Sequence, residues 1–411
     1  MPALGATFAR RFPFLHDLLT TRLTATLLAL AVIFAAAAYG AYGMVIAASN
    51  GLVTPYANLI GGDFVVFRTA AELAGSSAIG PIYRIDTFSS HLRALYPGTG
   101  AMLFGWLYPP TMFLVVAPLG TVPYLVGLAA WIGAQLTLFS ATLLSVWRDR
   151  RVLLFALTSP AVLQTVITGQ TGMLTASLLA LSAYFAQSRP LIAGLAAGAL
   201  TIKPQLGLLI PVAFIAGRCW KAFVYATATA VLLAALALVV YGGDSWSAFF
   251  AALTSHGDRM QTTGFPLSKL VTPYGAVRLV GGSATSAAVL QLAASVSLAL
   301  YVGLAWWRRL SVELRVAALL SATPLATPYA FYYELAICVV PCLMIAREAQ
   351  RSGWLRWERA SLVALWVAAF LPPGAETIPA VPVSFLVALA AWLVCARRVL
   401  PALRDARAVT T

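Results

Sequence analysis

The stretch 191–217 reads LIAGLAAGALTIKPQLGLLIPVAFIAG and holds one charged residue, Lys203. Cations flank it, Arg189 before and Arg218 with Lys221 after. Lysine and arginine concentrate on the cytoplasmic side of membrane segments, so a stretch with cations at both ends has to go out and come back. Its arms, 191–202 and 204–217, are 12 and 14 residues long, which makes only about 18 and about 21 Å of helix. The hydrocarbon layer is ~30 Å thick. The apex Lys203-Pro204-Gln205 is therefore expected to lie sunken in the outer half of the bilayer. Backbone freed at Pro204 is tolerated there only against protein or a polar cavity.

Working outward from this hairpin, further apolar runs occupy 23–48, 121–147, 171–186, 222–241, 284–307, 328–346 and 379–396. The chain is 61% hydrophobic and 10% charged, whereas soluble domains carry about 25% charged residues. The reading is an all-α polytopic integral membrane protein of about twelve spans, with residues 1–411 forming one membrane domain and both ends cytoplasmic. A first module covers 22–241 and includes an outer loop at 50–106. A second outer loop follows at 242–283, then C-terminal helices at 284–398. Within the first loop, 64–74 and 87–96 have amphipathic patterns and are expected to lie along the membrane surface.

The formal charge of +14 raises the possibility of a polyanion partner. Its distribution points elsewhere. With the N-terminus inside, twenty of the 27 lysines and arginines fall on inner segments, among them Arg148, Arg150, Arg151, Arg308 and Arg309. The positive-inside rule accounts for that excess, so membrane lipids are expected as partners and nucleic acid is not. Cys219, Cys338, Cys342 and Cys395 lie in or beside apolar runs without metal-ligand spacing and read as small core residues. The first apolar run is too long for a cleaved signal and reads as a retained anchor.

Thirteen acids allow a full census. Asp17, Asp149, Glu313, Glu348, Glu358 and Asp405 fall beside inner cations and read as surface groups. Asp63 follows Gly61-Gly62 and precedes the first amphipathic pattern. A carboxylate there is either a helix cap favoured by the helix dipole or a general base that takes a proton from an acceptor hydroxyl. Lys203 is the one cation expected at membrane depth, where an unpaired charge costs roughly 2.5–3.5 kcal/mol. It either holds a phosphate as a point charge or snorkels to the interface. Glu334, the one acid expected within a span, has three open readings: pairing with Lys203, binding a sugar hydroxyl, or facing a wet cavity as a structural acid. His256 and Arg259 of the second loop, with Asp258 between them, either bind phosphate or sugar or are solvated. Phosphate-cradling glycine loops, paired metal-spaced histidines and serine-nucleophile elbows are missing from the sequence, and no cofactor or metal is expected.

Several pieces together resemble glycosyltransferase family 87, within the GT-C class of multispanning enzymes. They are Asp63-Phe64-Val65-Val66-Phe67 with Ile82-Tyr83, Tyr108-Pro109-Pro110, Gly169-Gln170, Ala193-Gly194-Leu195 leading to Lys203-Pro204-Gln205, and Pro328-Tyr329-Ala330 with Glu334. The resemblance implies a GT-C-like bundle in the bacterial cytoplasmic (inner) membrane, with its site facing outward. It also implies a membrane hexosyltransferase that moves a sugar, mannose favoured, from a polyprenyl-phosphate donor to a lipid or glycan acceptor. By position it makes Asp63 the base and Lys203 the contact to the donor phosphate; His256 and Arg259 of the second loop are expected, on the reading of that loop, to join Lys203 there. Tyr108, Gln170, Gln205, Tyr329 and Glu334 are then expected to line the substrate. Many GT-C enzymes bind a metal through paired acids, but Gly62 precedes Asp63 here and no metal is expected. The competing reading is a transporter or flippase, for which Lys203 and Glu334 would form a buried pair along a substrate path.

Overall fold

A chain in hydrocarbon must satisfy every backbone N–H and C=O internally, which helices do. The computed structural model describes residues 23–75, 79–97, 105–260, 265–369, 371 and 381–408, and among these the regular structure is helical. Helix α1 (Leu23–Ala47) is followed by two loop helices, α2 (Phe64–Ala74) and α3 (Ile85–Leu95), and by short helical turns across Pro110–Thr121. Helix α4 (Tyr124–Val146) leads to α5 (Arg151–Leu157) and α6 (Pro160–Thr168), a pair bent by 57°. After α7 (Gly172–Phe185) come the arms of the broken hairpin, α8 (Pro190–Ala199) and α9 (Leu209–Ala216), then α10 (Trp220–Arg259), which is kinked at Gly242, where the backbone is not helical (φ +75°). The remainder is α11 (Pro273–Leu279), α12 (Ala284–Trp307), α13 (Val312–Ala326), α14 (Val339–Ser352), α15 (Glu358–Ala368) and α16 (Val383–Ala408).

Among the described residues, α1, α4, α10, α12 and α16 are long and apolar enough to cross a membrane, and the bent α5–α6 pair makes a sixth if counted as one span. The protein is thus an all-helical membrane protein, but the run lengths do not become twelve long helices. The 171–186 run yields a helix of 14 residues. The 328–346 run opens with a 3-10 segment, Tyr332–Cys338, before α14 begins. Proline explains much of the shortening, because it starts α6 and α8 at their first residue and cannot donate to a preceding turn.

The core is built around α13, in which every residue from Glu313 to Ala326 is buried. A helix apolar nearly all round belongs inside a bundle, and α12, α14 and α16 pack against it. Helix α8 lies close on α10 through Gly194 and Gly198, one turn apart. A Cβ at Gly194 would fall 2.2 Å from Tyr225 Cβ, and one at Gly198 2.4 Å from Thr229 Cβ. This small-residue contact is the usual way helices approach within a membrane. It also fixes the arm that ends at Lys203.

Two expectations change. Helix α2 does not lie along a surface: Phe64 to Ala71 are eight consecutive buried residues, so protein surrounds it on all sides. Only α3 keeps an amphipathic character, with Phe88, Ser89 and Leu92 buried and Asp86, Ser90 and Arg93 exposed. Glu313 and Glu358, expected at the surface, are both 1% exposed. Glu313 pairs with Arg347 and Arg351, and Glu358 with Arg398. In neither case is the partner the cation adjacent in sequence, and the bundle closes over both pairs. Cys219, Cys338 and Cys395 are buried, Cys342 is half-buried, and all four are free thiols.

Candidate active site

The site begins with a close backbone contact. Gly61 and Gly62 adopt positive φ, +82° and +49°, in the loop before α2, and Gly169 adopts +61° in the turn between α6 and α7. Left-handed backbone of this kind suits glycine. A Cβ on Gly169 would fall 2.6 Å from Phe64 Cβ and 2.7 Å from the Gly61 carbonyl oxygen. Glycine therefore lets the head of α2 close on the turn after α6, and the side chains that follow, Asp63 and Gln170, meet. Gln170 Nε2 donates to Asp63 Oδ2 at 2.9 Å.

Asp63 occupies the cap position of α2, yet its backbone is already helical (φ −70°, ψ −7°) and its side chain makes no capping hydrogen bond. The cap expectation is corrected accordingly: the carboxylate is held by Gln170. Gln170 is itself anchored. Tyr108 Oη donates to its Oε1 at 3.2 Å, and Gln135 Nε2 donates to its backbone carbonyl at 3.0 Å. Trp131 Nε1 donates to the Gly169 carbonyl at 2.8 Å, and Tyr83 Oη to the Tyr108 carbonyl at 3.0 Å. This chain of donors fixes the direction of one carboxylate oxygen. Burial in protein pushes the Asp63 carboxyl above the usual carboxylate range, while the Gln170 hydrogen bond and the charges of Lys269 and Lys203 pull it back down.

Lys203 sits at the break of the hairpin, between 3-10 turns Leu200–Ile202 and Pro204–Gly207. Its Nζ lies 2.5 Å from Glu334 Oε1, and Thr175 Oγ1 donates to Glu334 Oε2 at 2.8 Å. The rings of Tyr333 and Tyr108 flank the ammonium at 4.9 and 5.3 Å. Lys203 is 5% exposed and Glu334 1%. Of the readings open for Glu334, pairing with Lys203 is the one observed. Snorkelling is ruled out for Lys203 by this burial. Removing one partner of such a pair costs about 3–5 kcal/mol, because a buried charge is left alone. A phosphate that took Lys203 would impose a similar exposure of Glu334, so Lys203 is not a free point charge.

One cavity of about 1190 Å³ connects these groups. Asp63, Tyr108, Gln170, Lys203, Gln205, Tyr329 and Glu334 all line it. His256 and Arg259 fall on the last turn of α10, and with Asp258 their side chains lie outside the described residues. Two groups on the cavity wall were not singled out as site residues by sequence: Tyr333, which faces Lys203, and Lys269. Lys269 ends a 3-10 turn, Leu267–Lys269, whose position is set by pairing of Leu270 with Phe331 and by Val271 N–H donating to the Ala330 carbonyl at 3.0 Å. That pairing joins segments some sixty residues apart, and no local spacing announces it. Among the described residues no group of three or more His, Cys, Asp or Glu is arranged to hold a metal ion.

No curated protein and no solved structure matches this chain. The sequence model of glycosyltransferase family 87 does match, over residues 106–328. The matched region carries Tyr108, Gln170, Lys203, Gln205 and Lys269, whereas Asp63, Tyr329 and Glu334 lie beyond its ends. Since the match takes in more than half of the 411 residues, the chain belongs to glycosyltransferase family 87 and is a membrane glycosyltransferase.

Proposed function

We propose that the protein transfers a hexose, mannose favoured over other hexoses or a pentose, from a polyprenyl-phosphate sugar to a hydroxyl of a lipid or glycan acceptor. The reaction takes place in the cavity described above, which faces the outer side of a bacterial cytoplasmic membrane. In this reading the short helices combine into about twelve crossings, with both ends cytoplasmic.

Asp63 acts as the base. It accepts the acceptor's hydroxyl proton as that oxygen forms a bond to the anomeric carbon. The bond between that carbon and the phosphate oxygen breaks on the opposite face, so configuration inverts and polyprenyl phosphate leaves. A positioned base contributes typically 10²–10⁴-fold. The single observation that carries the reading is the Gln170 hydrogen bond to Asp63 at 2.9 Å. It aims a carboxylate into a cavity shared with Lys203 and Glu334 instead of leaving it as a helix cap. The buried Lys203–Glu334 pair then supplies polar groups at the floor, where Gln205 and Tyr329 also offer hydrogen bonds to sugar hydroxyls. His256 and Arg259 are assigned to the phosphate side by chain position.

The test uses purified protein in proteoliposomes with a radiolabelled polyprenyl-phosphate sugar and a membrane extract as acceptor. Label appearing in a new, acid-stable glycoside supports the reading. Protected movement of the intact lipid without transfer would instead support a flippase.

A further inference from the structure

We infer that Lys269, and not Lys203, receives the phosphate of the departing lipid. The inference rests on the reading above and assigns a group to the leaving side of the same reaction.

The two cations on the cavity wall differ in what already holds them. Lys203 is buried against Glu334, whose other oxygen is held by Thr175. That pair is internally neutral, and drawing Lys203 away would leave a buried carboxylate unpaired. Lys269 is exposed within the cavity and takes part in no ion pair among the described residues. Its backbone is nonetheless fixed: Lys269 N–H donates to the Pro266 carbonyl at 3.0 Å, and the next two residues pair with Ala330 and Phe331. A charged amine on a fixed backbone with an unclaimed head is suited to an incoming anion.

The spatial relation to Asp63 agrees with this. An inverting displacement needs nucleophile and leaving group on opposite faces of the anomeric carbon, so base and leaving-group cation must share a cavity without touching. Asp63 and Lys269 line the same cavity and are not an ion pair, although Lys269's charge is felt at the Asp63 carboxyl. Lys203 would meet the same requirement only by giving up Glu334. Lys269 also stands on a loop packed into its own small core of Met260, Leu270, Tyr274 and Ala287, so replacing its exposed side chain leaves that packing intact.

The experiment measures binding of farnesyl phosphate, with farnesol as the uncharged control, to the full chain in detergent. The variants are Lys269→Ala, Lys269→Arg and the paired Lys203→Met with Glu334→Gln. Wild type should prefer the phosphate over the alcohol, and Lys269→Ala should lose about tenfold of phosphate affinity with farnesol binding unchanged. Lys269→Arg should keep the preference, and so should the paired variant. An unchanged thermal midpoint for Lys269→Ala separates the loss from misfolding. If wild type prefers the phosphate and Lys269→Ala does so equally, Lys269 is not the phosphate group and the proposed donor still stands. If wild type shows no preference, the donor reading fails, and this inference fails with it.

Discussion

Replacing Gln170 by alanine removes the N–H that holds Asp63 while leaving the carboxylate itself in place. The bond is 2.9 Å long and runs to a charged acceptor, a class that contributes about 1.5–3 kcal/mol. If that orientation is realised fully in the transition state, kcat should fall by a factor of about 10–100. A second consequence separates orientation from general damage. Gln170 favours the ionised carboxylate, so its loss should raise the Asp63 pKa, which burial already holds above the ordinary value. The base works only when ionised, so activity falls as pH drops through that pKa. The acid limb of kcat/KM should therefore lie at higher pH than for an ordinary aspartate, and Gln170→Ala should move it higher still. Gln170→Glu, which replaces the donor with a like charge, should move it further in the same direction. The assay is sugar transfer from a defined polyprenyl-phosphate donor across a pH series, for each variant alone and combined with Asp63→Asn. In the Asp63→Asn background Gln170→Ala should change the residual rate little, because the two residues act as one unit. Multiplicative losses in the double variant, or an acid limb that does not move, would refute the positioning role.

Lys203→Met should destabilise the protein by about 3–5 kcal/mol, read as lost folded yield in detergent, and adding Glu334→Gln should recover most of it. A double variant as unstable as the single one would mean that the pair is not what holds the hairpin apex. Gly169→Ala should lower the thermal midpoint and cost at least about 2–3 kcal/mol, since it combines left-handed backbone with a Cβ 2.7 Å from a carbonyl oxygen that cannot swing away. A midpoint equal to wild type would show that the contact between α2 and the turn after α6 is looser than described. Glu358→Gln should weaken the clasp to Arg398 and reduce stability without altering kcat per folded molecule, since α15 contributes no residue to the cavity. A drop in kcat at unchanged stability would contradict that separation.

Much of the helical plan was legible because hydrocarbon imposes it. The break at Lys203-Pro204 could be placed from run lengths and flanking cations alone. Asp63, Lys203 and Glu334 stood out in an apolar chain, where each charged side chain requires a reason, and Gln170 entered through the family resemblance. Partnership was legible only as alternatives. Pairing of Lys203 with Glu334 was one of three readings left open for that acid, and the contact across 131 positions decides for it. For Asp63 the sequence offered both a cap and a base, and the structure shows its carboxylate held by Gln170 with no capping hydrogen bond. Lys269 was hidden for the opposite reason: an outer-loop lysine is ordinary, and its access to the cavity depends on a backbone pairing with Ala330 and Phe331. The enclosure of α2 escaped for a related cause, since its pattern of Phe64, Phe67 and Ala71 is the same whether lipid or protein covers the other side.

Asp63 as the base of the transfer is decided by single-turnover chemistry with Asp63→Asn. Turnover should fall by at least about 10²-fold, with binding of the polyprenyl-phosphate donor, measured separately by equilibrium titration, within about threefold of wild type. A variant that transfers sugar within a few-fold of the wild-type rate would contradict it.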